Sequence, residues 1–150
     1  HEILKPGRVH ELIDLVKIKE KNGFRVYAGT SYGGGFIPLQ NVVKSSDFIL
    51  MHGNGVSDPE RILEMINRVR KIEVYTPVPI LFNEDDHYDF TKEQNNFVSA
   101  LKCYASWGFF DFRRKDESFE NGYQSVPVDW GINSDRKKEF FNFVKDVTGK

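Results

Sequence analysis

A single cysteine, Cys103, stands in the 150 residues, so no internal disulfide can form. It lies within a helical pattern and reads as a small core residue. One thiol assigns no compartment. Neither sign of charge dominates: 21 Lys and Arg stand against 22 Asp and Glu, a net charge of -1. Nucleic-acid binding needs a basic surface, so no nucleic acid is expected as a partner. No apolar run approaches the roughly 20 residues of a membrane span, so no membrane partner is expected. The chain opens HEILKPGRV, with no initiator Met and no basic segment leading into an apolar one. It is expected to be a processed protein or a fragment of a longer one. Tryptophan is scarce, at 2 residues, yet 13 Phe and 6 Tyr bring the aromatics to 14%. Tyr and Trp at loop ends often make platforms for flat or sugar-like ligands.

Hydrophobic periodicity alternates between helix and strand. Residues 8–21 carry Val9, Leu12, Ile13 and Val16 at helical spacing, with Pro6 before them and Asn22-Gly23 read as the stop. FRVYAGTSYGGG then reads as a short buried strand entering a glycine-rich loop, and a brief helix is expected over 38–44. Residues 48–51 form the next strand. Ser57-Asp58-Pro59-Glu60 opens a helix with buried Ile62, Leu63, Ile66 and Val69. Ile80, Leu81 and Phe82 make a third strand, with a loop over 83–90. Thr91 to Gln94 begins a helix bearing Phe97, Val98, Leu101 and Tyr104. The fourth strand is 108–113, with Trp107 before it as a core residue. After a long polar loop, Ser134-Asp135 caps a helix bearing Phe140, Phe141, Val144 and Val147. Short strands that are apolar on both faces, each followed by a helix, predict an α/β fold with parallel strands.

Residues 1–150 read as a single domain. Two architectures fit four such units: the C-terminal half of a TIM (β/α)8 barrel, or a small open parallel α/β sheet. Polar residues gather past the carboxyl end of each strand: Thr30, Ser31 and Tyr32; His52 and Asn54; Asn83 to His87; Asp111 and Arg113. All strand ends meet at one face in a barrel, whereas an open sheet binds mainly at one crevice. The pattern favours the half-barrel. Four strands cannot close a barrel, so open edges and self-association, or pairing with a missing half, are expected.

Glu84 ends the third strand and is the candidate catalytic residue; the competing reading is an exposed loop-start glutamate. His52 and Asn54 are candidate ligand-binding residues, or else hold the Gly53-Asn54-Gly55 turn. Tyr32 and Trp130 are candidate binding aromatics. Arg113 and Arg114 can pair with Asp111, Asp116 or Glu117. Three neighbouring carboxylates repel when turned inward together, so Asp85 and Asp86 are expected to face solvent or loop hydrogen bonds. Three adjacent residues do not easily converge on one ion, so no metal site is assigned to Asp85, Asp86 and His87. Gly33-Gly34-Gly35 lacks the frame of a phosphate loop, and no cofactor is expected.

The stretches HEILKPGRVHELI, FILMHGNG, LFNEDDH, YASWGFFDF and VPVDWGINSDRKKEFF together resemble the C-terminal half of a cellulase-like (β/α)8 glycoside hydrolase. The resemblance spans nearly the whole chain. It implies a carbohydrate substrate, bacterial carbohydrate metabolism, a secreted or periplasmic setting, and a retaining mechanism with Glu84 as nucleophile. The two carboxyls of such a site lie about 5 to 5.5 Å apart. The second would sit on a strand preceding His1, so this chain alone is expected to have little or no activity. His52 matches the family's strand-six partner of the nucleophile. Phe-Asp-Phe-Arg stands where the family often places a Trp, and Trp130 is expected to substitute. The rival expectations are a non-catalytic carbohydrate-binding or scaffold protein, and a metal-dependent hydrolase using His52, Asp86 and His87.

Overall fold

In the computed structural model, residues 4–87, 89–111, 116 and 134–149 are described. After a 3-10 turn at Pro6–Arg8, helix α1 runs Val9–Lys17. It ends earlier than its periodicity suggests, because Asn22-Gly23 is a hairpin turn and not a helix stop. Asn22 (φ 56°) and Gly23 (φ 80°) both adopt the left-handed conformation. Two such residues in succession match the right-handed twist of an antiparallel ribbon. They join β1 (Glu20–Lys21) to β2 (Phe24–Arg25), with Glu20 opposite Arg25.

The expected first parallel strand is therefore absent. Residues 26–32 form no strand, although Ala28 and Gly29 lie against Asp47 and Phe48 just before the next one. The amide of Asp47 donates to the Ala28 carbonyl (2.9 Å), but the Ala28 amide is taken by the Asp47 carboxylate (2.9 Å). Arg25 donates to both oxygens of that carboxylate (2.9 and 3.0 Å), and Lys17 lies 3.3 Å from it. The Arg25 hydrogen bonds, helped by the Ala28 amide and Lys17, hold the Asp47 carboxyl well below the usual range against the effect of burial. Gly29 packs so closely that a Cβ there would lie 2.5 Å from the Phe48 carbonyl oxygen.

Among the described residues three strands form the parallel sheet, in the order β3 (Ile49–His52), β4 (Ile80–Asp85), β5 (Ser106–Phe109). The sheet is open. Helix α2 (Gln40–Ser45) precedes β3, and α3 (Pro59–Arg70) and α4 (Asn96–Lys102) are the crossovers. Ile49, Met51, Ile80 and Phe82 pack in one core with Val43 of α2, Ile62, Met65, Ile66 and Val69 of α3, and Ala100 of α4. Met65 is fully buried while Leu63 is only half-buried, so the stripe of α3 follows 62, 65, 66, 69. Asp58 caps α3, accepting from the Glu60 amide (3.0 Å), with Pro59 in the first turn.

Two further boundaries differ from expectation. Asn95, not Thr91, caps α4, its side-chain oxygen accepting from the Val98 amide (3.0 Å). The buried residues of α4 are Asn96, Ser99 and Ala100; Leu101 is 42% exposed and Tyr104, beyond the helix, 93%. Trp107 lies inside β5, which ends at Phe109 and not at residue 113. Ser134 caps α5 (Asp135–Thr148) as expected, accepting from the Lys137 amide (3.2 Å). Phe140 and Phe143 of α5 join Phe90, Phe97, Trp107 and Phe109 in an aromatic cluster with ring centroids 5.0 to 6.2 Å apart. Phe141, expected in the apolar stripe, is 49% exposed.

Candidate functional site at the carboxyl ends of the parallel strands

A β-bulge creates the site. Ile49, Leu50 and Met51 of β3 face Ile80, Leu81 and Phe82 of β4, but His52 faces Glu84. On the other side Phe82 faces Trp107 and Asp85 faces Phe109, so three steps along β4 match two along β5. Asn83 is the extra residue. Side chains alternate faces along a strand, so one inserted residue reverses the parity beyond it. Ile80 and Phe82 point into the helix-covered core, and without the bulge Glu84 would follow them. Instead Asp85 takes the core face and is completely buried. Glu84 shares the opposite, half-exposed face with Leu50, Leu81 and His52. The strand thus continues to Asp85, where a loop from Asn83 was expected.

On the half-exposed face, Glu84 Oε2 lies 3.0 Å from His52 Nδ1. The other ring nitrogen, Nε2, lies 2.8 Å from Ser31 Oγ and 3.4 Å from Asn83 Nδ2. A carboxylate accepts, so it selects the imidazole tautomer with the proton on Nδ1 and leaves Nε2 to accept from the Ser31 hydroxyl. His52 and Glu84 are held together from the backbone as well. The Gly53 amide donates to the Glu84 carbonyl (2.7 Å), and the Gly35 amide donates to the His52 carbonyl (3.1 Å).

Behind the sheet, Asp85 is the hub of a second group. One carboxylate oxygen accepts from Trp107 Nε1 and Asn96 Nδ2, both at 2.9 Å. The other accepts from the His87 amide (3.0 Å) and lies 2.9 Å from His87 Nδ1. Asn96 also donates to the Val56 carbonyl (2.9 Å), tying α4 to the loop after β3. Asp86 lies 3.1 Å from His87 Nδ1 and accepts from the Gly55 amide (3.3 Å). Asp85 thus takes up loop hydrogen bonds as expected, but inside the core and not toward solvent.

Of the expected site residues, Glu84 and His52 are brought together. Tyr32 is not: its hydroxyl donates to the Pro6 carbonyl (3.2 Å), and burial pushes its phenol upward. Asn54 makes no described hydrogen bond to Glu84, and its buried side-chain oxygen has no partner among the described residues. Its backbone is pressed against Gly34, where a Cβ would collide with the Asn54 carbonyl. Asn54 therefore shapes the loop and does not reach the carboxylate. Trp130, Arg113, Arg114 and Glu117 lie outside the described residues. Ser31 and Asn83 are the additions to the site; both stand at strand ends in the sequence, but nothing local there marks them as partners of His52.

Asp85, Asp86 and His87 each offer a ligand atom within 4.8 Å of the others. Both oxygens of Asp85 and Nδ1 of His87 are already engaged with one another and with Trp107 and Asn96. A cation there would have to replace those bonds. His52, which the rival metal-dependent reading joins to Asp86 and His87, belongs to the Glu84 group.

The hydrogen bond to Asp85 raises the His87 pKa above its ordinary 6.5; burial opposes this, and Asp85, Asp86 and Asp89 add Coulombic support. Protonated His87 therefore stabilises the fold fully below pH about 6.5, and that contribution is lost as pH rises through the folded-state value. A histidine C–H NMR titration is expected to place His87 above 6.5. Asp85→Asn should lower it. A wild-type midpoint at or below 6.5 would contradict this assignment.

Comparison of the chain with protein-family models, curated proteins and solved structures finds no match. No described helix is long and apolar enough to cross a membrane.

Proposed function

We propose that this chain carries the nucleophile half of a retaining glycoside hydrolase site, with Glu84 attacking the anomeric carbon. The supporting observation is the bulge at Asn83, which turns Glu84 out of the core and onto an open face at the carboxyl end of a parallel strand, against His52. Bulges next to active sites characteristically re-aim one side chain in this way. His52 donates to the carboxylate and orients one oxygen, leaving the other for attack. In this reading the open three-stranded sheet is part of a (β/α)8 barrel, and its half-exposed face, with Leu50 and Leu81 below the site, is the barrel interior. The acid/base carboxylate comes from outside this chain, and the substrate is a carbohydrate. The metal-dependent alternative drew on His52, Asp86 and His87, but His52 bonds with Glu84 and Ser31 and not with the other two.

A 2,4-dinitrophenyl 2-deoxy-2-fluoroglycoside tests the nucleophile without the missing acid, because dinitrophenolate leaves unprotonated. The fluorine slows hydrolysis of the glycosyl-enzyme. Across gluco, galacto and manno probes, one is expected to add a single fluoroglycosyl group to Glu84, seen by peptide mass spectrometry. Glu84→Gln should remain unlabelled. Labelling elsewhere, or none by any probe on folded protein, rejects the nucleophile assignment and favours a binding or scaffold role.

A further inference from the structure

The contacts of His52 form an ordered chain of three groups. Ser31 Oγ lies 2.8 Å from Nε2, and Glu84 Oε2 lies 3.0 Å from Nδ1. A nucleophilic hydroxyl on one ring nitrogen and a carboxylate on the other is the arrangement that activates serine for acyl transfer, on whatever fold it occurs. The segment carrying Ser31 is fixed on both sides. Upstream, Ala28 is bonded to Asp47 in both directions; downstream, the Gly35 amide is bonded to the His52 carbonyl. Gly34 fits against Asn54 only because it has no side chain. Immediately after Ser31, no hydrogen bond among the described residues takes up the backbone N–H of Tyr32, Gly33 or Gly34. Donors of that kind beside a nucleophile can stabilise an oxyanion.

We infer that Ser31, His52 and Glu84 constitute an acyl-transfer centre that hydrolyses small carboxylic esters. This goes beyond the glycosidase reading, and it gives Glu84 a different task, that of holding the His52 tautomer. In the first half-reaction Ser31 Oγ bonds to the ester carbonyl carbon and its proton passes to His52 Nε2. The carbonyl π electrons move onto oxygen. When they return, the C–O bond to the alcohol breaks, and the leaving oxygen takes the proton from Nε2. Water then adds to the acyl carbon and gives a proton to Nε2. The carboxylic acid leaves as Ser31 Oγ recovers that proton. The balance is ester plus water to acid plus alcohol, with no other reactant.

The test uses a fluorophosphonate probe and p-nitrophenyl acetate on the chain. One fluorophosphonate adduct is expected, on Ser31, with loss of fluoride. Ester hydrolysis should fall to the buffer rate in Ser31→Ala and by about 10²–10⁴-fold in His52→Gln, the usual contribution of a general base. Ser31 is only partly buried, and circular dichroism of each variant shows whether the fold is kept. A folded wild type that leaves Ser31 unlabelled overturns the inference, as does a Ser31→Ala variant with wild-type ester hydrolysis. Phosphonate on Ser31 and fluoroglycoside on Glu84 are separate adducts on separate peptides, so each reading fails or stands by itself.

Discussion

Replacing Asp85 by asparagine is expected to cost about 3–5 kcal/mol, the range seen when one partner of a buried charged network is removed. The change is nearly isosteric, so the loss is electrostatic and not steric. All four groups around the Asp85 carboxylate are donors: Trp107 Nε1, Asn96 Nδ2, and the His87 amide and Nδ1. A carboxylate accepts at both oxygens, whereas an amide must place its own NH2 against one pair of donors. Two donors then lose their acceptor inside a completely buried site. A stability of 5–15 kcal/mol is usual for a domain, so the variant should be partly unfolded or near its limit. Urea denaturation followed by tryptophan fluorescence reads the effect, since Trp107, one of the two tryptophans, is itself a partner. A midpoint unchanged from wild type would show that the network contributes nothing.

Gly53→Ala is expected to destabilise the protein by about 3 kcal/mol or more, at the upper end of what overpacking costs. A Cβ on Gly53 would overlap the Asp85 carboxylate, which four hydrogen bonds hold in place and which cannot step aside. Relief therefore has to come from separation of β3 and β4 at their carboxyl ends. That separation stretches the 2.7 Å bond from the Gly53 amide to the Glu84 carbonyl and moves His52 away from Glu84. The variant should show both a lower urea midpoint and weaker labelling of the site by its probes. Gly55→Ala is the comparison: its Cβ would meet nothing, but its φ of 74° makes the cost one of backbone strain alone. Equal site labelling in wild type and Gly53→Ala would show that the two sheet faces are not coupled through this contact.

Both predictions follow from the same detail, an extra residue at position 83. It is also where sequence reading reached its limit. Glu84 was identifiable at a strand end, and His52 at the end of the strand before it, because polar residues directly after short apolar runs are conspicuous. Which carboxylate would face the core was not legible. Period-two alternation continued from Ile80 and Phe82 points to Glu84, and only the pairing with β3 and β5 shows the shift that buries Asp85 in its place. Asp85 and Asp86 are expected to turn to solvent or to loop hydrogen bonds. Asp85 makes its loop hydrogen bonds in the interior, because Trp107 and Asn96, at 22 and 11 residues' separation, supply donors that no local pattern announces.

The hairpin at Asn22-Gly23 fails differently. Its signal is local, and the same two residues that end a helix also turn a hairpin; the left-handed conformation of both favours the hairpin. Once that ribbon forms, Arg25 reaches Asp47, and Asp47 takes the Ala28 amide that a fourth strand would need. Tyr32, for its part, bonds to Pro6 and not to Glu84.

By itself, the sequence determined the alternation of strands and helices, the parallel α/β class, the capped starts of α3 and α5, and the strand ends where polar groups collect. These depend on periodicity and capping, which act over a few residues. The tertiary structure alone decided the number of strands in the sheet, the register across the bulge, the burial of Asp85, and the meeting of Ser31, His52 and Glu84. Those depend on contacts between residues 11 to 32 positions apart, and in the sheet a one-residue shift exchanges the core face for the open one.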